Sequence, residues 1–137
     1  MDDAQFRSVP CQWPVNRVID RLAEAAGAAG LQIFGRIDHS ANAAEVGLEL
    51  RPTELLIFGN PRAGTALMLD QQTAGIDLPF RALAWEDDDG QVWLTYPEPD
   101  SLARRHNLGA RSAEVLAAIR QGMAGLTESV SVAPRSD

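Results

Sequence analysis

A chain of 137 residues, 45% hydrophobic and 23% charged, has the size and balance of one globular domain. Its formal net charge of −7 argues against recognition of nucleic acid through a basic patch, and equally against a polybasic hold on a membrane. All 12 basic residues are arginine, which also removes Schiff-base and Walker-lysine chemistry.

Cys11 is the only cysteine, so no internal disulfide can form and a reducing compartment fits. With only His39 and His106 beside it, one chain cannot supply four Cys/His ligands to a structural zinc. Residues 1–30 lack a basic start followed by a continuous apolar core, and no apolar run approaches a membrane span. The expectation is a cytoplasmic protein with no membrane or nucleic-acid partner.

Residues 4–10 read as a short strand. Val15, Val18, Ile19, Leu22 and Ala26 recur at helical spacing after Pro14, and Gly30 is the stop. Leu31–Ile37 alternates as a strand, with Leu31, Ile33 and Ile37 on one face. Asp38 or Ser40 caps a short helix over 40–46 that Gly47 ends. The run Leu55-Leu56-Ile57-Phe58 marks a buried strand within 49–59. Asn60-Pro61 then starts a helix to about residue 71, with Asn as cap and Pro in the first turn.

Residues 78–86 and 91–96 are strands joined by Asp87-Asp88-Asp89-Gly90, a hairpin signal. Pro99 opens a short helix ending near His106. Ser112 caps a last helix with Val115, Leu116, Ile119 and Met123 on one face. One domain over residues 1–126 and a frayed tail over 127–137 follow. Hairpin-linked strands with segregated helices define an α+β fold rather than a doubly wound parallel sheet.

Short motifs through the middle of the chain carry a family resemblance. They are Ile37-Asp38-His39, Gly47-Leu48-Glu49-Leu50-Arg51-Pro52-Thr53, Leu56-Ile57-Phe58-Gly59-Asn60-Pro61, Gly64-Thr65 with Met68, and Ile76-Asp77-Leu78-Pro79. Trp85-Glu86-Asp87, Trp93-Leu94-Thr95-Tyr96, Arg105-His106 and Leu108 complete the set over residues 31–108. In order and spacing the chain resembles the family called Domain of Unknown Function 302. The resemblance implies a β-α-β4-α order, with a curved antiparallel sheet carrying helices on one face. It brings no reaction. Two positions depart from the family pattern: Cys11-Gln12-Trp13-Pro14 stands where a Ser/Thr-type cap is usual, and Glu98 where Asp or Asn is usual.

The candidate site residues sit at element junctions. Asp38 and His39 juxtapose a carboxylate and an imidazole at a strand end, the makings of a general base or metal ligand. Capping explains Asp38 equally well. Asn60, Arg62, Gly64 and Thr65 surround a helix N-terminus, where N–H groups and the helix dipole favour an anion and glycine permits close approach. A tight packed turn, with a strand crossing at Gly64, is the plainer reading. Arg51 and Asp77 suggest an ion pair or, for Arg51, an anion clamp. His39, His106 and one carboxylate would make a facial metal triad. Cys11 near a helix start has either a lowered thiol pKa or an inert buried thiol.

Three functions follow from these residues. The first is a small-ligand domain holding an anion or metabolite at Asn60–Thr65, with Arg51, Asp38 and His39 close by. The second is a homodimeric interaction module in which the same motifs are structural, with an exposed apolar face or open edge. The third is a histidine-based metal protein. No cofactor and no reaction can be assigned, because no nucleophile stands beside a visible base and there is no dinucleotide fingerprint.

Overall fold

The computed structural model describes residues 5–131. Five strands form one antiparallel sheet in the order β1-β5-β4-β3-β2. They are β1 (Phe6–Cys11), β2 (Gln32–Asp38), β3 (Thr53–Gly59), β4 (Phe80–Glu86) and β5 (Val92–Pro97). Five α-helices connect or follow them: α1 (Val15–Ala28), α2 (His39–Glu45), α3 (Pro61–Asp70), α4 (Pro99–His106) and α5 (Ala113–Glu128). A 3-10 helix spans Gln72–Asp77 and a 3-10 turn Ala110–Ser112. The α+β class and the strand-helix-four-strand order expected from sequence are those of the structure.

The local signals act as read at most boundaries. Gly30, Gly47 and Gly90 adopt positive φ after α1, after α2 and in the β4–β5 hairpin, the region that costs glycine least. The Asn60 side chain accepts from Arg62 N at 2.9 Å, with Pro61 at the first helical position. α1 and α4 start at Pro14 and Glu98 with no side-chain cap, as the two sequence departures foretold.

Four readings are corrected. First, Leu31, Ile33 and Ile37 do not share a face. A bulge between Ile33 and Gly35 inserts Phe34 and reverses the alternation, so Ile33 pairs with Phe58 but Ile37 with Leu55. Second, β3 begins at Thr53 rather than 49, since Pro52 has no N–H to donate to a ladder. Third, Ser112 stands before α5 without capping it, because its hydroxyl donates to Asp70 Oδ2 at 2.6 Å. Fourth, the chain is not frayed from 127: α5 runs to Glu128, Thr127 and Val130 are buried, and Ser131 bridges Cys11. Residue 4 and residues 132–137 lie outside the described residues.

Two apolar cores result. The first packs Val18, Ile19, Leu22 and Ala26 of α1, and Met123 and Leu126 of α5, on one sheet face built by Leu56, Phe58, Ala82, Ala84 and Leu94. The second lies beside the sheet and joins Leu67 of α3, Ala74 of the 3-10 helix, Leu102 of α4 and Leu116 of α5. Ile119 packs against both. Within the first core Glu54 is buried and accepts from Arg36 Nε at 2.9 Å, and Arg36 reaches across to Asp20 of α1 at 2.7 Å. That network lets a carboxylate sit under α1 without an unpaired charge.

A candidate ligand cavity between the two cores

The sheet divides the sequence candidates into two groups. β3 and β4 run antiparallel, with Thr53 opposite Trp85 and Phe58 opposite Phe80. Arg51 therefore lies at the end of β4 that carries Glu86, and its Nε donates to the Glu86 carbonyl at 3.1 Å. Asp77 lies before the other end, about 20 Å away at the rise of a strand. The expected Arg51–Asp77 pair does not form. Asp38 pairs with Glu54, so Asp38 and His39 belong to the Arg51 end. Asn60, Arg62, Gly64, Thr65 and Asp77 belong to the opposite end, and the single site imagined for all eight residues is two places.

At the first end, capping accounts for Asp38. Its Oδ1 accepts from Ala41 N at 2.9 Å and Ser40 Oγ at 2.7 Å, and these bonds hold the carboxyl below its ordinary range. His39 is exposed at the first turn of α2.

At the second end, Asp77 gathers the cations. It accepts from Arg105 Nη1 at 2.8 Å and contacts His106 Nε2 at 2.6 Å, with Arg81 at 3.7 Å. Thr73 Oγ1 sits 3.1 Å from the other ring nitrogen of His106. Burial alone would raise the Asp77 carboxyl, but the hydrogen bonds from His106 and Arg105 outweigh it and the net direction is down. The cluster fastens α4 to the 3-10 helix. His39 lies at the other end of the sheet, so the two histidines do not meet at one carboxylate. Among the described residues, the three His/Cys/Asp/Glu groups that come together are Asp87, Asp88 and Asp89 in the hairpin turn. There Asp87 accepts from Asp89 N, Gln91 N and Trp93 Nε1, a turn fully explained by its own hydrogen bonds. Cys11 is buried, and burial pushes its thiol up to about 11, so it is an inert thiol.

The larger feature was not legible as a site. A cavity of about 480 Å³ opens along the seam between the two cores. Phe58, Phe80, Met123 and Leu126 of the first core form one wall. Leu67, Met68 and Leu78 form the other, with Ile119 shared. Asn60, Gly64 and Thr65 line it at the start of α3, so three of the sequence candidates border the cavity. Phe34, the bulged residue of β2, is 46% exposed and also lines it. No charged side chain does so among the described residues.

Small residues of both helices line the space, Ala63 and Gly64 of α3 and Ala118 and Gly122 of α5. The glycines differ in what they do. A Cβ on Gly75 would meet Met68 Sδ at 3.0 Å, a tight contact that the thioether must yield to accommodate. A Cβ on Gly64 would make an ordinary contact with Leu78 Cδ1 at 3.8 Å, and no strand crosses at that position. A Cβ on Gly122 would meet nothing within 4 Å, although glycine inside a helix costs about 1 kcal/mol relative to alanine.

These features define a small α+β domain with an apolar cavity between its sheet-borne core and a lateral helical core. Residues 7–126 match the family described as Domain of unknown function DUF302, and the chain belongs to that family. It is 48% identical over 126 residues to the "Fluoride-specific ion channel FluC 1" of Brucella suis biovar 1 (strain 1330), covering 92% of this chain and 50% of that protein. The "Fluoride-specific ion channel FluC 2" of Brucella melitensis biotype 1 is likewise 48% identical, with 92% of this chain and 47% of that protein covered. The chain thus spans about half the length of these curated relatives. In fold it is similar to the crystal structure of an uncharacterized conserved DUF302 protein from Bacillus stearothermophilus. That likeness has a TM-score of 0.82 at 21% identity and covers 93% of this chain and 99% of that one.

Proposed function

We propose that this domain binds one small, uncharged, largely apolar molecule in the cavity between β3, α3 and α5. The observation that carries the reading is a cavity of about 480 Å³ walled by aliphatic, aromatic and thioether groups, without a charged side chain. Its volume falls in the range of ligand pockets, and a few polar groups at the rim, here Asn60 and Thr65, are what such pockets use to orient a guest. Gly122 on the cavity lining is an open position, where an added Cβ meets nothing within 4 Å.

The anion expected from sequence is less well served. In the first turn of α3, Arg62 N is taken by Asn60 Oδ1, Gly64 N by Asn60 O, and Pro61 has no N–H. An anion moved into this apolar lining would lose hydration with little in return.

The test is a fluorescence titration with N-phenylnaphthylamine, a neutral apolar fluorophore. The expected result is saturable binding at one site per chain, abolished in a folded Gly122→Leu variant and unchanged in Arg62→Ala. No saturable signal, or binding that survives Gly122→Leu, would overturn the reading.

A second reading rests on the relatives. They are named as fluoride channels and this chain matches half of their length. Among the described residues no helix is long and apolar enough to cross a membrane. We infer that the matched half is an accessory ligand-binding module carried beside the channel-forming half. Fluoride efflux from liposomes, measured with the Brucella suis protein before and after deletion of its matched half, tests this. Efflux should persist after deletion; its complete loss in correctly inserted protein would sink the idea.

A further inference from the structure

The face of the sheet turned away from the helices is unexpectedly apolar. In the ladder registers Ile37 pairs with Leu55, Leu55 with Leu83, and Trp85 with Trp93, and Ile57 lies on the same side. None of these six side chains belongs to either core. An antiparallel sheet covered on one side ordinarily alternates apolar with polar residues. Here β3 runs Leu55-Leu56-Ile57-Phe58 without a break, the pattern of a strand covered on both faces. Trp85 and Trp93 stack with ring centroids 6.5 Å apart, and their ring N–H groups are already donated to Thr95 and Asp87. The two indoles therefore ask for apolar contact and nothing else.

We propose that this open sheet face is the interface of a homodimer, two copies packing sheet on sheet. Charge and area select a second copy as the occupant. Two chains of net charge −7 repel, and they can meet only where the surface is free of acid. The ladder positions of this face carry no acid, and Asp87 reaches it only at the hairpin end, on the Trp93 ring N–H. The only charged residue at its ladder positions is Arg81 of β4, and its guanidinium lies 3.7 Å from Asp77, so little charge is stranded when the face is covered. A five-stranded face of this length projects on the order of 500 Å². With the relief of its indoles and leucines it reaches the roughly 600–1,000 Å² per partner that stable dimers bury. A single two-fold axis lets the same patch serve both copies, and paired sheets cross at about 30° or near 90°.

The experiment is light scattering coupled to gel filtration on the wild-type chain at micromolar concentration, with Leu83→Arg and Ile37→Arg beside it. Leu83 sits at the centre of the face, and Ile37 on the edge strand, where a charge is least able to disturb folding. The wild type should run at twice the chain mass. Either variant that keeps its far-UV circular dichroism should run at half the wild-type value. A wild-type monomer would overturn the proposal, and so would a dimer that persists in a folded variant. Because the cavity lies behind the opposite face, N-phenylnaphthylamine binding should survive both substitutions. Loss of the dimer and loss of the ligand are thus separate readouts.

Discussion

The two cores are made of the same kinds of residue and are packed to different ends. In the first, Val18, Ile19, Leu22 and Ala26 present a continuous apolar stripe to the sheet, and none of them retains exposed surface. In the second, three helices and a 3-10 segment meet beside the sheet around Leu67, Ala74, Leu102 and Leu116, and their seam with the first core stays open. The second core is no less buried at its centre, and carboxylates also pin its elements to one another. Asp70 accepts from Ser112 Oγ at 2.6 Å and Gly109 N at 3.0 Å, holding the start of α5 to the end of α3. Asp77 holds α4 through Arg105 and His106. A filled core stores stability, whereas an open seam held by polar pins leaves room for a guest.

Substitutions at matched positions can break or sharpen this contrast. The largest effect is expected at Leu22, fully enclosed by the first core. Leu22→Ala should cost about 3 kcal/mol in urea unfolding, from lost transfer energy plus the void left behind. Leu78→Ala, at the cavity wall, should cost about half as much, because that side chain is not enclosed. Equal losses at the two positions would mean that the seam is packed like the core.

A smaller effect, of opposite sign, is expected at Gly122. Gly122→Ala should stabilise the fold by about 1 kcal/mol, since the helix gains and no neighbour is met. The matched change Gly75→Ala should give no such gain, because its new carbon would press on Met68 Sδ at 3.0 Å. Thermal melts of the two variants decide the matter, and a stabilised Gly75→Ala would contradict the packing account.

The smallest effect is expected on acidification. Hydrogen bonds from Ser112 and Gly109 hold the Asp70 carboxyl below its ordinary range, and Asp77 is net lowered as well. A depressed folded-state pKa contributes stability that is complete above the ordinary carboxylate value of about 4 and is lost as pH falls through the lower, folded-state value. Both carboxylates pin the second core, so amides of α4 and of the Ala110–Ser112 turn should lose hydrogen-exchange protection in acid before those of β3 and β4. Simultaneous loss would show that the two cores open together.

The sequence carried most of the fold because its signals were local. Helical spacing from Val15 to Ala26, the Asn60-Pro61 start and the Asp-Gly hairpin each act within a few residues, where backbone sterics and first-turn hydrogen bonds decide the outcome. Phe34 defeated the strand reading because one inserted residue reverses every side chain after it, and nothing in the Leu31–Ile37 pattern announces a bulge. Of the eight site candidates, Asn60, Gly64 and Thr65 border the cavity, as their helix-start setting suggested. Arg51, Asp38 and His39 were assigned to the same place because nearness in sequence and polarity was all there was to go on. The burial of Glu54 against Arg36 gave no signal, as both residues read as ordinary charges on strands. Gly122 did leave one, a glycine inside a helical run with no turn to make.

By itself the sequence determined the class of fold, the order of its elements, the family, and the absence of lysine chemistry and of an internal disulfide. Those properties follow from composition and from interactions a few residues long. The tertiary structure alone decided that Asp77 belongs with Arg105 and His106, that the candidates lie at two ends of a sheet, that an uncharged cavity separates two cores, and that an apolar sheet face looks outward. Each depends on strand register and on the packing of helices far apart in the chain. Whether two apolar stripes meet closely or leave a space is set by the side chains they bring together, which no stretch of sequence contains.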